Sequence, residues 1–467
     1  MKKIIAISLW SVCCNIIAAQ STYTLEQILD SARQNNIAIR SARQNVEAAS
    51  QQRKEAFTKF FPNVSGTGLW FNANKGMAQT TINPSEVMPP ALASSLANSL
   101  PAEALAALAN PVSISMMKNG TIGSITAMQP LFAGGQIVNG NRLAKVGEEV
   151  SRLQLQLSEN EVEKTAEQYF WQMVSLQEKA KTVAAVEAML ADIHKDVDVA
   201  VRAGLALRND LLQVELRQNE VESQKLKLHN GISIVRLLLA QYCGLSQSEE
   251  LRVKSEEFAT EGTQEFATVL PTSAGEPTSA AANSSSFTLH SSLASLPEYQ
   301  LLDKQVEATR LQKNLAVGQN LPSVAVGVGY NYHNLLDNNH SFGMVFATVS
   351  VPISDWWGGS HAIKRKKIAY QQAIDEQQDK AELLKIRMQN DWNNVVEARQ
   401  QLLLARRSIE QADENLRIHR DYYRAGTCKM SDLLEAQMLY QQARDRHTEA
   451  YADLQNKLLA YRQSSGQ

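Results

Sequence analysis

From Gly147 to Gly204 the chain has no intervening Gly or Pro, and the same holds from Gly359 to Gly426. Both stretches are rich in Ala, Glu, Gln, Lys, Arg and Leu, the strong helix formers. In the second, apolar residues recur at helical spacing: Leu384, Met388, Trp392, Val395, Leu402, Ile409, Ala412 and Leu416. The pattern predicts two helices of about 90–100 Å at 1.5 Å per residue. Coiled coils and tubes use helices of that length; globular cores do not.

Each stretch breaks at one short phrase, "RAGLALRNDLL" from Arg202 and "RAGTCKMSDLL" from Arg424, 222 residues apart. Gly204 and Gly426 suit the left-handed residue that closes a helix. Asn209 and Ser431 are expected as N-caps of the helices that follow, with Asp210 and Asp432 in their first turns. Each phrase thus predicts the tip of a helical hairpin, at 202–210 and 424–432.

The likeness extends outside the tips. "FPNVSGTGLW" (61–70) resembles "LPSVAVGVGY" (321–330), and "QPLFAGG" (129–135) corresponds to "VPISDWWGG" (351–359). The expected organisation is an internal two-fold repeat of helix, strand, loop, strand, long helix, turn and helix, over 20–245 and 296–467. Strands are expected near 62–73, 119–131, 321–333 and 340–352. In 323–332, Val324, Val326, Val328, Tyr330 and Tyr332 alternate with Ser323, Ala325, Gly327, Gly329 and Asn331. A lipid-facing barrel strand reads this way, and so does a half-buried strand in water. Pro62, Pro130, Pro322 and Pro352 are expected at the strand–helix joints, because proline cannot donate to a ladder. Phe60, Phe61, Phe132, Trp356 and Trp357 lie beside them, as an interfacial girdle or as packing of the joint. Residues 74–119 are expected as a long loop with short helical turns, and the Ser/Thr-rich 246–295 as a linker.

Composition narrows the setting. "MKKIIAISLWSVCCNIIAAQ" has Lys2 and Lys3, an apolar core and the small Ala18 and Ala19, so 1–19 reads as a secretory signal. A lipid anchor at Cys13 or Cys14 is the alternative, but their neighbours suit its cleavage poorly. Cys243 and Cys428 are expected as free thiols, being about 60 Å apart along a helix. A net charge of −2 without a long basic run argues against nucleic acid. The run Lys364, Arg365, Lys366 and Lys367 reads as a solvated face. No HExxH, P-loop or GxSxG occurs, and "GVGYNY" lacks the third glycine of a dinucleotide loop. No enzyme activity, metal or cofactor is expected.

After the signal no apolar run is long enough to span a bilayer, so a membrane location requires strands. Four strands do not close a barrel, and an open sheet in lipid strands its edge groups at several kcal/mol each. Two, three or four chains sharing one barrel would give eight, twelve or sixteen strands.

The signal, the duplicated plan and the two tips resemble the TolC-like outer membrane efflux protein family, over essentially the whole mature chain. "YYRAGTCKMSDLLEAQ" (422–437) is the most specific segment, and "EQYFWQMV" (167–174) is similar too. The resemblance implies a mainly α homotrimer with a small β part. Four strands per chain would form a twelve-stranded outer-membrane barrel, continuous with a coiled-coil α-helical tunnel in the periplasm. It implies export of drugs, toxic compounds or proteins, in tripartite efflux or type I secretion. The partners would be a periplasmic adaptor (membrane fusion) protein, an inner-membrane pump of RND or ABC type, and outer-membrane lipid. It makes Asp432 and Glu435 a pore constriction and Tyr423 a latch towards Asp210. Cys428 stands where the family commonly has Arg. The tips, with Arg202, Gly204, Arg424 and Gly426, become the adaptor-docking surface. The competing reading from another class is a periplasmic coiled-coil scaffold or adaptor with no barrel.

Overall fold

The structure, a computed structural model, describes residues 22–75, 78–83, 110–116, 118–245, 252–253, 293–335 and 338–466, with a few single positions between 83 and 110. The expected leader at 1–19 and most of the linker at 246–295 lie outside the described residues. The fold is mainly helical with a small sheet. In chain order the elements are β1 (Thr22–Tyr23), α1 (Leu25–Asn35), α2 (Ile37–Thr58), β2 (Asn63–Asn72), β3 (Ala78–Ile82), β4 (Val112–Met116) and β5 (Asn119–Ala133). There follow α3 (Gln136–Arg202), α4 (Arg208–Cys243), β6 (Arg252–Val253), α5 (Pro297–Gln319), β7 (Ser323–Leu335), β8 (Asn338–Ser350), α6 (Asp355–Arg424) and α7 (Met430–Ser465). The chain divides into two compact units, one of Met1–Ser50, Val146–Glu307 and Gln372–Gln467, the other of Gln51–Lys145 and Ala308–Gln371.

The second unit holds a four-stranded antiparallel sheet in the order β2-β5-β7-β8. Side chains alternate between its faces, so the register fixes what each face presents. One cross-strand row reads Val64, Ala127, Val328 and Val345, and the row two residues on reads Gly66, Ile125, Tyr330 and Gly343. These apolar residues are open: Val64 is 65 %, Ile125 62 % and Val345 81 % exposed. On the other face the row Thr67, Ser124, Asn331 and Phe342 is more polar, and the Thr67 and Ser124 hydroxyls pair at 2.7 Å. The Phe346 ring on that face lies over Gly327, its direct partner, where a Cβ would otherwise sit. Within the segment expected as a long loop with short helical turns, the described residues include an antiparallel ribbon of β3 and β4.

Two expectations change here. Pro130 is not at a strand–helix joint; it lies within β5, and the register shifts between it and Phe132, where a missing N–H is tolerated. Pro62, Pro322 and Pro352 do flank strands. The long helices begin before the glycines taken as their limits, at Gln136 and Asp355. They number 67 and 70 residues, about 100 and 105 Å. Gly140, Gly147, Gly358 and Gly359 therefore sit inside helices, each costing about 1 kcal/mol relative to Ala. At Gly359 the cost has a steric reason, since a Cβ there would strike the Asn320 side chain.

A closer approach joins α5 to the start of α3. Gly134 has φ +58, and a Cβ on either Gly134 or Gly318 would collide with the other's carbonyl. Trp356 closes the α6 joint, donating from Nε1 to the Asn320 carbonyl at 3.0 Å.

Among the described residues, helices and their turns make up the first unit apart from β1 and β6. Ile28, Ala32 and Ile39 from α1 and α2 bury against Val162, Phe170 and Trp171 of α3, Leu239 and Cys243 of α4, and Tyr451 of α7. Trp171 stands edge-on to both Phe170 and Tyr451, and its Nε1 donates to Glu167 at 3.1 Å. Asn35 and Asn36, at the α1–α2 junction, donate to the Cys243 and Tyr242 carbonyls and so finish α4. Each large side chain buried this way is worth about 1.5–3 kcal/mol. Cys243 and Cys428 are free thiols, and burial pushes that of Cys243 up to about 12.

Gly134→Ala adds a collision to a positive φ, so it lowers stability by at least ~2 kcal/mol. Thermal unfolding checks this: the variant melts several degrees lower, whereas Gly68→Ala, where a Cβ meets nothing within 4 Å, leaves the midpoint near the parent's.

Candidate functional site

The two hairpin tips share one set of backbone hydrogen bonds. At the first, Ala203 N donates to Val199 O, Gly204 N to Val201 O and Leu205 N to Ala200 O. At the second, Ala425 N donates to Asp421 O, Gly426 N to Tyr423 O and Thr427 N to Tyr422 O. Every bond is offset by 222 residues. Gly204 and Gly426 have φ +75 and +71, the left-handed residue such helix ends require.

The helices that follow start one residue before the expected caps. α4 is capped at Leu207 and α7 at Lys429, not at Asn209 and Ser431. The third helical residue supplies the missing acceptor. Asp210 Oδ2 accepts from Leu207 N at 3.1 Å, and Asp432 Oδ2 from Lys429 N at 3.4 Å. A carboxylate there needs no particular side chain at the cap itself. Asp432 Oδ1 also accepts from Ser431 Oγ at 2.9 Å. Asp210 and Asp432 are half-buried, and Glu435, one turn along α7, is exposed.

Tyr423 lies against the core beneath the tips, formed by Val186, Leu190, Val214, Leu416, Met430 and Leu433. Burial raises its phenol's pKa first, and the negative charges of Asp210 and Asp196 raise it further. Tyr423 and Asp210 therefore feel one another, although no hydrogen bond joins them among the described residues. The Cys428 thiol donates to the His419 carbonyl at 3.4 Å. Arg202 and Arg424 are exposed; Arg202 pairs with Asp198 at 2.8 Å. The tips differ in surface: Leu205 and Leu207 are exposed at the first, where Thr427 and Lys429 stand at the second.

Sequence reasoning missed a polar ladder between α4 and α7. Arg217, whose side chain is 11 % exposed, donates from Nε to Gln437 Oε1 at 3.0 Å and from Nη2 to Gln441 Oε1 at 3.1 Å. Gln441 Nε2 passes the chain to Gln224 Oε1 at 2.7 Å. Gln437 and Gln441 are buried. The only prior signal was a pair of Gln four apart on an otherwise apolar stripe, and their partner is some 220 residues away. Arg217, Gln224 and Gln441, with Lys179, Lys227 and Asp445, share with Val183, Leu228 and Met438 the lining of a cavity of about 340 Å³. Asp445 Oδ1 is buried with no hydrogen-bond partner. Burial raises the Asp445 pKa, with Lys179 opposing and Glu449 reinforcing the shift.

Among the described residues, no group of three or more His, Cys, Asp or Glu is placed to hold a metal ion. No helix there is long and apolar enough to cross a membrane.

Residues 288–467 match the model of the family described as outer membrane efflux protein. No curated protein matches the sequence. Solved structures match along nearly its whole length. The outer membrane protein VceC of Vibrio cholerae is 13 % identical, with 95 % of this chain and 96 % of that one covered and a TM-score of 0.70. The CmeC outer membrane channel of Campylobacter jejuni is 13 % identical, covering 95 % of this chain and 85 % of that one at 0.71. CusC is 13 % identical, covering 94 % and 91 % at 0.74. At such identities the likeness establishes the fold. The matched family is one of outer membrane efflux proteins, and the match covers 180 of the 467 residues.

Two outcomes test the ladder and its cavity. Arg217→Met leaves two buried amides without their donor, a loss of ~2 kcal/mol or more. Amide exchange across 430–441 should then quicken roughly 30-fold; unchanged exchange would mean the ladder carries no stability. A carboxyl whose folded pKa is raised costs stability when ionised, so stability through Asp445 falls as pH rises from about 4, its unfolded value, through the raised one. Asp445→Asn should melt higher than the parent at neutral pH, and the gap should close near pH 4.

Proposed function

Because residues 288–467 carry an outer membrane efflux domain on a chain with the fold of outer membrane channels, we propose that this protein is the outer-membrane duct of a tripartite export system. The observation that carries the reading is the sheet. It exposes an apolar face, and its edges β2 and β8 have no partner strand among the described residues. In lipid each unpaired backbone group costs several kcal/mol. Pairing β2 of one copy with β8 of the next removes both edges. Three copies, the number the family resemblance implies, would give a twelve-stranded barrel.

The halves 20–245 and 296–467 are read as a duplication joined by the linker 246–295. Support comes from α3 and α6 at 67 and 70 residues, α4 and α7 at 36 each, and the matching bonds of the tips. Three copies of these hairpins would line a periplasmic tunnel. Exposed apolar residues at helical spacing support contact between copies, among them Leu212 and Leu216 on α4 and Leu383 and Ile386 on α6.

The tips would form the closed end. Asp432 and Glu435 from three chains make a ring of six carboxylates, which holds cations and narrows the pore. Tyr423, placed beside Asp210, would keep one hairpin against the other until an adaptor engages Arg202, Gly204, Arg424 and Gly426. An inner-membrane pump of RND or ABC type would supply the cargo, whether drugs, toxic compounds or a protein secreted by a type I route.

Single-channel recording in planar bilayers tests the gate. The parent should show small, cation-preferring currents. In the double variant Asp432→Asn, Glu435→Gln the cap acceptor survives while the charge goes, so conductance should rise and cation preference fall several-fold. Currents indistinguishable from the parent's would remove these carboxylates from the pore.

A further inference from the structure

The four helical segments that meet the sheet carry an unusual charge balance. Residues 51–62 hold Arg53, Lys54 and Lys59 against Glu55, and residues 134–145 hold Arg142 and Lys145 with no acid. Residues 308–322 hold Arg310 and Lys313 with no acid, and residues 351–371 hold Lys364 to Lys367 against Asp355. That is eleven cations (three, two, two and four) against two acids, in a chain with 46 Lys and Arg against 48 Asp and Glu. Farther along α6, residues 372–382 reverse the sign, with Asp375, Glu376, Asp379 and Glu382 against Lys380. These segments thus carry a net positive charge that the chain as a whole does not.

Its depth is also uniform. Counted from the sheet-side ends Thr58, Gln136, Gln319 and Asp355, the helical cations stand four to twelve residues away. That is about 6–18 Å along each axis. Two of them tie α5 to α6: Lys366 donates to Gln312 Oε1 at 2.9 Å, and Lys313 Nζ lies 4.9 Å from the centre of the Tyr370 ring. The others are exposed. Between them and the apolar sheet face stand exposed aromatics, with Phe57 packed against Phe60 and Phe61 at 5.6 Å and Trp357 85 % exposed.

Apolar face, aromatic belt and cations thus follow in the order of a leaflet's own layers: hydrocarbon, interface, phosphate. A headgroup region adds about 5–7 Å per leaflet, and Lys and Arg reach back along their flexible stems. We infer that these cations form a collar binding the phosphate headgroups of anionic phospholipid in the leaflet beneath the barrel, fixing the depth at which the barrel sits. The run 364–367, which reads as a merely solvated face in the sequence, becomes the densest part of that collar. The inference rests on the barrel reading above.

The test uses the full chain reconstituted in mixed phosphatidylglycerol and phosphatidylethanolamine vesicles, with Trp70→Phe so that Trp356 and Trp357 report. Brominating one lipid at a time measures which headgroup surrounds them. Brominated phosphatidylglycerol should quench several-fold better than brominated phosphatidylethanolamine at equal mole fraction. The preference should shrink in about 0.5 M salt, and fall close to parity in the exposed-site triple variant Lys364→Gln, Arg365→Gln, Lys367→Gln. Equal quenching by both lipids in the parent overturns the collar, and so does a preference untouched by the triple variant. A triple variant that shifts channel ion selectivity while lipid preference stays intact also overturns it, assigning the charge to the lumen. Quenching by neither lipid sinks the barrel reading itself.

Discussion

Backbone hydrogen bonding at the two sheet edges governs this molecule. β2 bonds only to β5 and β8 only to β7, so one side of each outer strand presents amides and carbonyls without strand partners among the described residues. Water would satisfy those groups at little cost; hydrocarbon cannot. The same sheet turns Val64, Ile125, Val328 and Val345 outward, which water disfavours and hydrocarbon does not. The two features conflict in any solvent unless the edges are paired by other copies. On the proposed reading, closure by neighbouring chains resolves both.

Helices of 67 and 70 residues raise a second difficulty. A long helical pair with a uniform apolar seam can slide by a turn at small cost, because each layer resembles the next. Here the seam is divided. One core gathers around Phe170, Trp171 and Tyr451, and another lies beneath the tips around Leu190 and Leu433. Between them Arg217 meets Gln437 and Gln441. Buried polar contacts of this kind gain less stability than apolar packing. The ladder ties α4 to α7 between the two apolar cores.

Much of the fold was legible because it is written in local signals. Glycine is needed where φ is positive, so the RAG phrases point to Gly204 and Gly426; the alternation at 323–332 reports its own face because a strand has period two. The mainly helical class follows from long runs free of breakers. What escaped depends on distant residues. Gly359 looks like a helix limit until Asn320, some 40 positions earlier, shows what a side chain there would strike. Pro130 reads as a boundary, since nothing local discloses a bulge opposite β7. The caps at Leu207 and Lys429 carry no capping side chain, because the bond arrives from three residues on. Arg217 has no meaning until its two glutamines are known.

The tips show which part of such a site geometry dictates. Their backbone bonds coincide one for one, and each has a carboxylate returning to its cap. Their remaining side chains diverge: Leu205 and Leu207 at one, Thr427, Cys428 and Lys429 at the other. A tight turn between two long helices leaves few degrees of freedom, so glycine and the third-residue aspartate are fixed by the turn alone. Asp432 is consequently over-determined, because the cap requires it whether or not a pore does. Glu435 is not: it is exposed, it caps nothing, and helix formation is indifferent to its charge. Of the two carboxylates read as a constriction, Glu435 is therefore the one that the turn geometry leaves unconstrained.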